Sequence, residues 1–182
     1  DQEPALIIAN GEVCSSELLG QLLEWSPIVI VLDSAIERIL ELGIKVDVLL
    51  GDFDRGFDAA YYKEKQYPLE IVYAPNQDKT DLEKAFDYLI EKGHKAVNVI
   101  WATGRRADHT ITNLTNIVAY RNLLKIVVID DHSKVYLLPN NFEKCSHNLK
   151  ITFIKHKDFF LFCALNFLVM CILLMINSLN IY

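Results

Sequence analysis

Val46-Asp47-Val48-Leu49-Leu50-Gly51-Asp52-Phe53-Asp54 joins an apolar run to a pair of acids. The first part has the composition of a strand buried in a sheet. Gly51 turns the chain out of that strand, and Asp52 and Asp54 stand just beyond its end. Both acids carry charge at neutral pH, and they repel each other unless a cation joins them. A hard, oxygen-preferring ion such as Mg2+ suits such a pair. It takes one or two carboxylates and leaves room for substrate phosphates.

The flanking sequence repeats the same unit in both directions. Upstream, Leu6-Ile7-Ile8-Ala9 reads as a first strand closed by the turn pair Asn10-Gly11. Ser15 or Ser16 caps a helix carrying Leu18, Leu19, Leu22 and Leu23, which ends before Pro27. Ile28-Val29-Ile30-Val31-Leu32 is a second buried strand, and Asp33 follows it. Ser34 is expected to cap the next helix, with Glu37 completing a capping box and Gly43 ending it. Downstream, a helix is expected over residues 57–67 and a strand over 69–73. Thr80 and Glu83 form a second capping box, which puts Asp81 in the first turn of a helix with Leu82, Ala85, Phe86 and Leu89 on its apolar face. A fifth strand spans 96–103 and runs into Gly104-Arg105-Arg106-Ala107-Asp108-His109. A helix with Ile111, Leu114 and Ile117 follows, then a sixth strand over 125–129. Alternation of this kind predicts an α/β fold: an open, mostly parallel, Rossmann-like sheet with helices on both faces.

In such a sheet, ligands bind outside the carboxyl ends of the strands. Asp33, Asp52, Asp54, Asp78, Asp81, Arg105, Arg106 and Asp108 all fall after strand ends. A single Asp there is an ordinary turn former. Repetition over consecutive strand ends points to a site. Acids with arginine suit metal-assisted phosphoryl transfer, where arginine meets phosphate as a bidentate fork. Thr80 and the helix N-terminus behind it can offer donors to a phosphate. An acid not wholly engaged by metal can take the proton of an attacking hydroxyl, and composition does not choose which. The chain contains no G-x-x-x-x-G-K-[ST], and no G-x-G-x-x-G follows strand one, so a P-loop enzyme and a dinucleotide site of the usual kind are disfavoured.

Bulk properties narrow the class further. The chain has 182 residues and a net charge of −6, which argues against a nucleic-acid grip built on phosphate neutralisation. Its 4 cysteines include no C-x-x-C pair, so neither a zinc site nor a disulfide framework is expected. The start, Asp1-Gln2-Glu3-Pro4, lacks a signal-peptide pattern, and a cytoplasmic setting is the expectation.

Asp33, Gly51-Asp52-Phe53-Asp54, Asp78-Lys79-Thr80-Asp81-Leu82-Glu83-Lys84-Ala85 and Gly104-Arg105-Arg106-Ala107-Asp108-His109-Thr110 with Asn113 together resemble the thiamine pyrophosphokinase family in order, type and spacing. The resemblance covers roughly residues 6–135. It implies transfer of pyrophosphate from ATP to the hydroxyl of thiamine, giving thiamine diphosphate and AMP, with Mg2+ as cofactor and a homodimer as the assembly. It also implies that Asp33, Asp52, Asp54 and Asp81 are the metal and catalytic carboxylates. Gly104, Thr80, Arg106, Asp108 and Asn113 then meet ATP and its phosphates, and Gln77 meets substrate. The family commonly has Asp-Ser where this chain has Asp54-Arg55, and Gly-Gly-Arg where it has Gly104-Arg105-Arg106. Arg55 and Arg105 add positive charge near the phosphates, or else pair with acids at the surface.

The resemblance implies residues 1–135 as an ATP- and Mg2+-binding catalytic unit. A C-terminal β-sandwich that helps to hold thiamine should follow. From Cys145 onward no alternating strands or glycine turns are legible, and residues 136–182 read as an atypical hydrophobic segment. Residues 159–176 are apolar but for Asn166, near the lower limit for a membrane span. A segment packed on the sheet and an ending read in another frame are together preferred to a span. Two rival functions stay open: another Mg2+-dependent phosphotransferase or phosphatase using Asp52-x-Asp54, and a non-catalytic nucleotide-binding product.

Overall fold

The computed structural model describes residues 3–25, 28–53 and 57–137, and the strands at 143–146, 149–152, 161–165 and 169–172. Strand and helix alternate as β1 (Ala5–Ile8), α1 (Ser16–Leu23), β2 (Val29–Leu32), α2 (Ile36–Glu41), β3 (Val48–Gly51), α3 (Ala59–Lys65), β4 (Glu70–Tyr73), α4 (Asp81–Glu91), β5 (Ala96–Ile100), α5 (Ala107–Ala119) and β6 (Lys125–Ile129). Five strands then follow without helices among the described residues: β7 (Ser133–Leu137), β8 (Glu143–Ser146), β9 (Leu149–Thr152), β10 (Leu161–Leu165) and β11 (Val169–Ile172).

The nine-stranded sheet has the order β11-β10-β7-β6-β5-β1-β2-β3-β4. Strands β6 to β4 in that order pair in parallel, while β7, β10 and β11 join antiparallel. Residues of β1, β2 and β3 are buried throughout, because helices cover both faces. One face packs Ile7, Ile30, Leu50 and Val99 under Leu82, Phe86 and Leu89 of α4 and Ile117 of α5. The other packs Leu6, Ile8, Val31 and Leu49 under Leu19 of α1 and Ile36 and Ile39 of α2. The α/β sheet with two covered faces is the one the sequence predicts.

Three local expectations are corrected. Ser34 does not cap a helix: Asp33–Ala35 forms a 3-10 turn, and α2 begins at Ile36 with no side-chain cap. The physical reason is Asp33, whose carboxylate accepts the Ser34 N–H and so turns the chain before a cap can form. Glu37 accepts the Tyr62 hydroxyl instead of closing a box. The fifth strand stops at Ile100 and does not reach Thr103, because Trp101 adopts a left-handed backbone with φ 55°. Its carbonyl then leaves the ladder and accepts the Gly11 N–H at 2.5 Å.

The third correction concerns the end of the chain, where strands do occur beyond Cys145. β8 pairs with β9 as a separate two-stranded sheet, and β10 pairs antiparallel with β7 and β11. A short, wholly apolar run looks alike as strand or helix, and its pairing partner is remote in sequence. Among the described residues, no helix is long and apolar enough to cross a membrane.

Candidate functional site

From β1 the sheet grows outward through β2, β3 and β4, then the chain returns to add β5 on the other side of β1. The switch point between β1 and β5 splays the outgoing loops, and a crevice opens at their carboxyl ends. A cleft of about 860 Å³ lies there. Asn10 and Gly11 line it after β1, Asp52 after β3, Gln77, Thr80, Asp81 and Lys84 around the start of α4, and Gly104, Arg105, Arg106, Asp108 and Asn113 after β5.

Asp33, Asp52 and Asp81 form one cluster, with a carboxylate oxygen from each within 4.8 Å of the others. Asp54 lies outside the described residues. The cluster depends on Gly51. A Cβ there would sit 2.4 Å from Cγ of Asp33, so only glycine lets that carboxylate lie against the end of β3. The N–H groups of Ser34 and Phe53 donate to Asp33 at 2.5 and 3.3 Å. Burial pushes the Asp33 carboxyl up, and the charges of Asp81 and Asp52 push the same way. Asp52 moves in the other direction, held below the usual carboxylate range chiefly by the Gln77 amide, which donates at 2.9 Å. Asp81 accepts from the Lys84 ammonium at 2.8 Å. The donors are all hard carboxylate oxygens, mutually close, with an acid pushed up partly by its neighbours' charge. That set fits a hard divalent cation.

α4 begins where it does because Thr80 and Glu83 close a capping box, with the Thr80 N–H donating to Glu83 at 2.9 Å and the Glu83 N–H to Thr80 at 3.3 Å. The Thr80 hydroxyl also donates to Glu83, so both polar groups of Thr80 are engaged within the box. Asn113 donates to the Ala102 carbonyl at 2.8 Å and ties α5 to the end of β5. Gly104 is left-handed at φ 74° and passes against Glu12. Arg106 makes a two-pronged contact with Asp108, at 3.1 and 2.5 Å. Chiefly through that contact, the Asp108 carboxyl is held down to about 2.

Other residues at the cleft do not stand out in the sequence as site residues. Lys84 is one, with a side chain only 7% exposed. Its signal was its place on the first turn of α4, three residues after Asp81. Asn10 is another, read only as part of a turn pair. Its side-chain oxygen accepts from both Arg38 and Arg105. Arg38 also donates to the Gly11 carbonyl and lies 4.8 Å over the Trp101 ring. Among the described residues Arg105 makes no ion pair with an acid and donates instead to Asn10. Arg55 lies outside the described residues.

Comparison with known proteins bears on this arrangement. A family model described as thiamin pyrophosphokinase, catalytic domain, matches residues 19–128. The thiamine pyrophosphokinase of Bacillus subtilis is 30% identical over 133 residues, which are 69% of this chain and 61% of that protein. Thiamin pyrophosphokinase 1 of Caenorhabditis elegans is 25% identical over 130 residues, 66% of this chain and 52% of the relative. The chain thus spans between half and two thirds of these relatives' lengths. The crystal structure of the Bacillus subtilis thiamine pyrophosphokinase matches with a TM-score of 0.62 at 26% identity, covering 78% of this chain and 67% of that one. The yeast thiamin pyrophosphokinase structure matches with a TM-score of 0.60 at 15% identity over 76% of this chain and 62% of that one, a likeness of fold. The span of the family match takes in β2 through α5, with every strand end that brings an acid to the cleft, and the chain belongs to the thiamin pyrophosphokinase family.

Proposed function

We propose that this chain carries the ATP- and metal-binding half of a thiamine diphosphokinase, which moves a pyrophosphoryl group from ATP to thiamine. The observation that carries this reading is the convergence of Asp33 with Asp52 and Asp81, the latter two lining the switch-point cleft, in a member of this family. The three acids, with Asp54 two residues after Asp52 in the sequence, are the residues that would hold Mg2+, as the resemblance implies. When bound, the ion would offset the negative charge of the phosphates and of the leaving group. Gln77 fixes the orientation of Asp52 through its amide. Arg106 presents a two-pronged fork that Asp108 keeps aimed, and exchange of that carboxylate for ATP phosphate is the simplest way to grip the polyphosphate. Thr80 holds the start of α4, and its part in phosphate contact requires the capping box to open. Gly104 gives the β5 loop its left-handed turn, and Asn113 anchors the helix behind it.

In the reaction, the thiamine hydroxyl oxygen bonds to the β-phosphorus of ATP, and the bond from that phosphorus to the α-phosphate oxygen breaks. AMP leaves, and an acid of the cluster takes the hydroxyl proton. We read residues 1–135 as the catalytic unit and residues 136–182 as lying where the family's thiamine-holding sandwich is expected. The same reading takes the protein as a cytoplasmic homodimer that does not bind nucleic acid.

The test is AMP release from ATP in the presence and absence of thiamine. AMP that appears only with thiamine and Mg2+ supports the reading, and EDTA should abolish it. Asp52→Asn and Asp54→Ala should each lower the rate about 100-fold or more, since each removes a charge that acts at the transition state. Phosphate release without thiamine, with a phosphoryl group trapped on Asp52, would replace this reading with a phosphatase. A rival reading is a nucleotide-binding product that does not catalyse the transfer. Binding of Mg2+ and ATP with no thiamine diphosphate formed is its signature.

A further inference from the structure

Lysine is almost never buried unless it is paired. Lys84 is buried, and its pair is Asp81, a member of the carboxylate cluster. The ammonium lies 2.8 Å from Asp81 Oδ1, and the same side chain lines the cleft beside Asp52. One lysine therefore faces a cluster of three acids. It leaves that cluster short of cation, yet it already holds one oxygen of Asp81, a carboxylate that the metal set includes.

Two cations sharing Asp81 repel each other. A divalent ion that arrives alone pushes Lys84 from Asp81 toward a cleft whose other acids are taken, Asp52 by the ion itself and Asp108 by Arg106. A polyphosphate changes that balance, because its oxygens offer the ammonium a new partner close by. Lysine is suited to the exchange: its ammonium is a compact charge with three rotatable donors on a flexible stem. We infer that Lys84 is a positioning residue that holds Asp81 in the ligand-free cleft and releases it when a nucleoside polyphosphate arrives, so that the cluster takes its divalent ion together with the polyphosphate and not alone. This inference rests on the metal assignment of the proposed function.

The test needs neither thiamine nor turnover, so it stands apart from the AMP assay. Free Mn2+ is titrated into nucleotide-free protein and followed by electron paramagnetic resonance. The wild type should bind it only in the millimolar range. Lys84→Met removes the charge at similar volume and should tighten Mn2+ binding about tenfold or more. The same variant should bind Mg2+ with α,β-methylene-ATP about tenfold more weakly. A purely structural role for Lys84 would weaken both, and that outcome overturns the inference. Lys84→Arg keeps the charge and should keep free Mn2+ binding weak. Should Lys84→Met fail to fold, the wild type still decides: micromolar binding of Mn2+ without nucleotide overturns the inference. In the Lys84→Met background, adding Asp52→Asn should abolish the gained affinity. If the gain survives, the metal assignment falls, and the inference with it.

Discussion

Gly51 has no side chain because Asp33 fills the space that one would need. Gly51→Ala should therefore displace the Asp33 carboxylate. It should cost about 1–3 kcal/mol in urea unfolding, as overpacking does, and remove most thiamine-dependent AMP release. Asp108 offers a pH test at the same scale. Its carboxyl is held down to about 2 by Arg106, so the pair favours the folded state at neutral pH. That contribution is lost as pH falls from the ordinary Asp range near 4 toward 2. Both partners are exposed, so the effect on stability is small. In Arg106→Ala, carboxyl NMR should find Asp108 titrating in the ordinary range. Residues at this scale were legible where type and strand-end position coincide, as for Asp33, Asp52 and Asp81. Lys84 was not, because lysine on a helix reads as solvated until the fold buries it.

At the scale of elements, α4 carries the most. Its capping box sets where Asp81 and Lys84 begin the first turn. Thr80→Ala should cost about 1 kcal/mol by thermal or urea unfolding, and should weaken metal binding more than its stability cost alone explains. On the buried side, Phe86 is fully enclosed and meets Tyr120 edge-on at 5.2 Å. Phe86→Ala should cost about 3–5 kcal/mol in the same measurement. The box at Thr80 was legible because both partners lie within one turn. The box expected at Ser34 fails because Asp33, one residue earlier, competes for the same backbone. The left-handed Trp101 was equally hidden, since nothing local marks a tryptophan for φ 55°. Its carbonyl answers to Gly11, on a different strand loop.

For the whole molecule, the parallel α/β class follows from alternation and buried strands, and the position of the cleft follows from the order the sheet adopts. Strands β6, β5 and β1 lie in the middle, and amide exchange should be slowest there and faster at the outer strands β4 and β11. Exchange as fast in β1 as in β4 would contradict the topology. The antiparallel extension through β7, β10 and β11 was not legible. Its registers, such as Cys163 opposite Val135, join segments with no common local signal.

The chain has 2 tryptophans, and the fold gives them opposite surroundings. Trp101 is 1% exposed beneath the Arg38 guanidinium, whereas Trp25 is 66% exposed. An aqueous quencher such as iodide reaches Trp25 and spares Trp101, so the residual emission comes from the floor of the crevice. Because Arg38 is held over that ring by Asn10 and Gly11, a ligand that draws Arg38 away alters the light that Trp101 returns. The protein thus carries its own optical reporter at the switch point, with no label to attach.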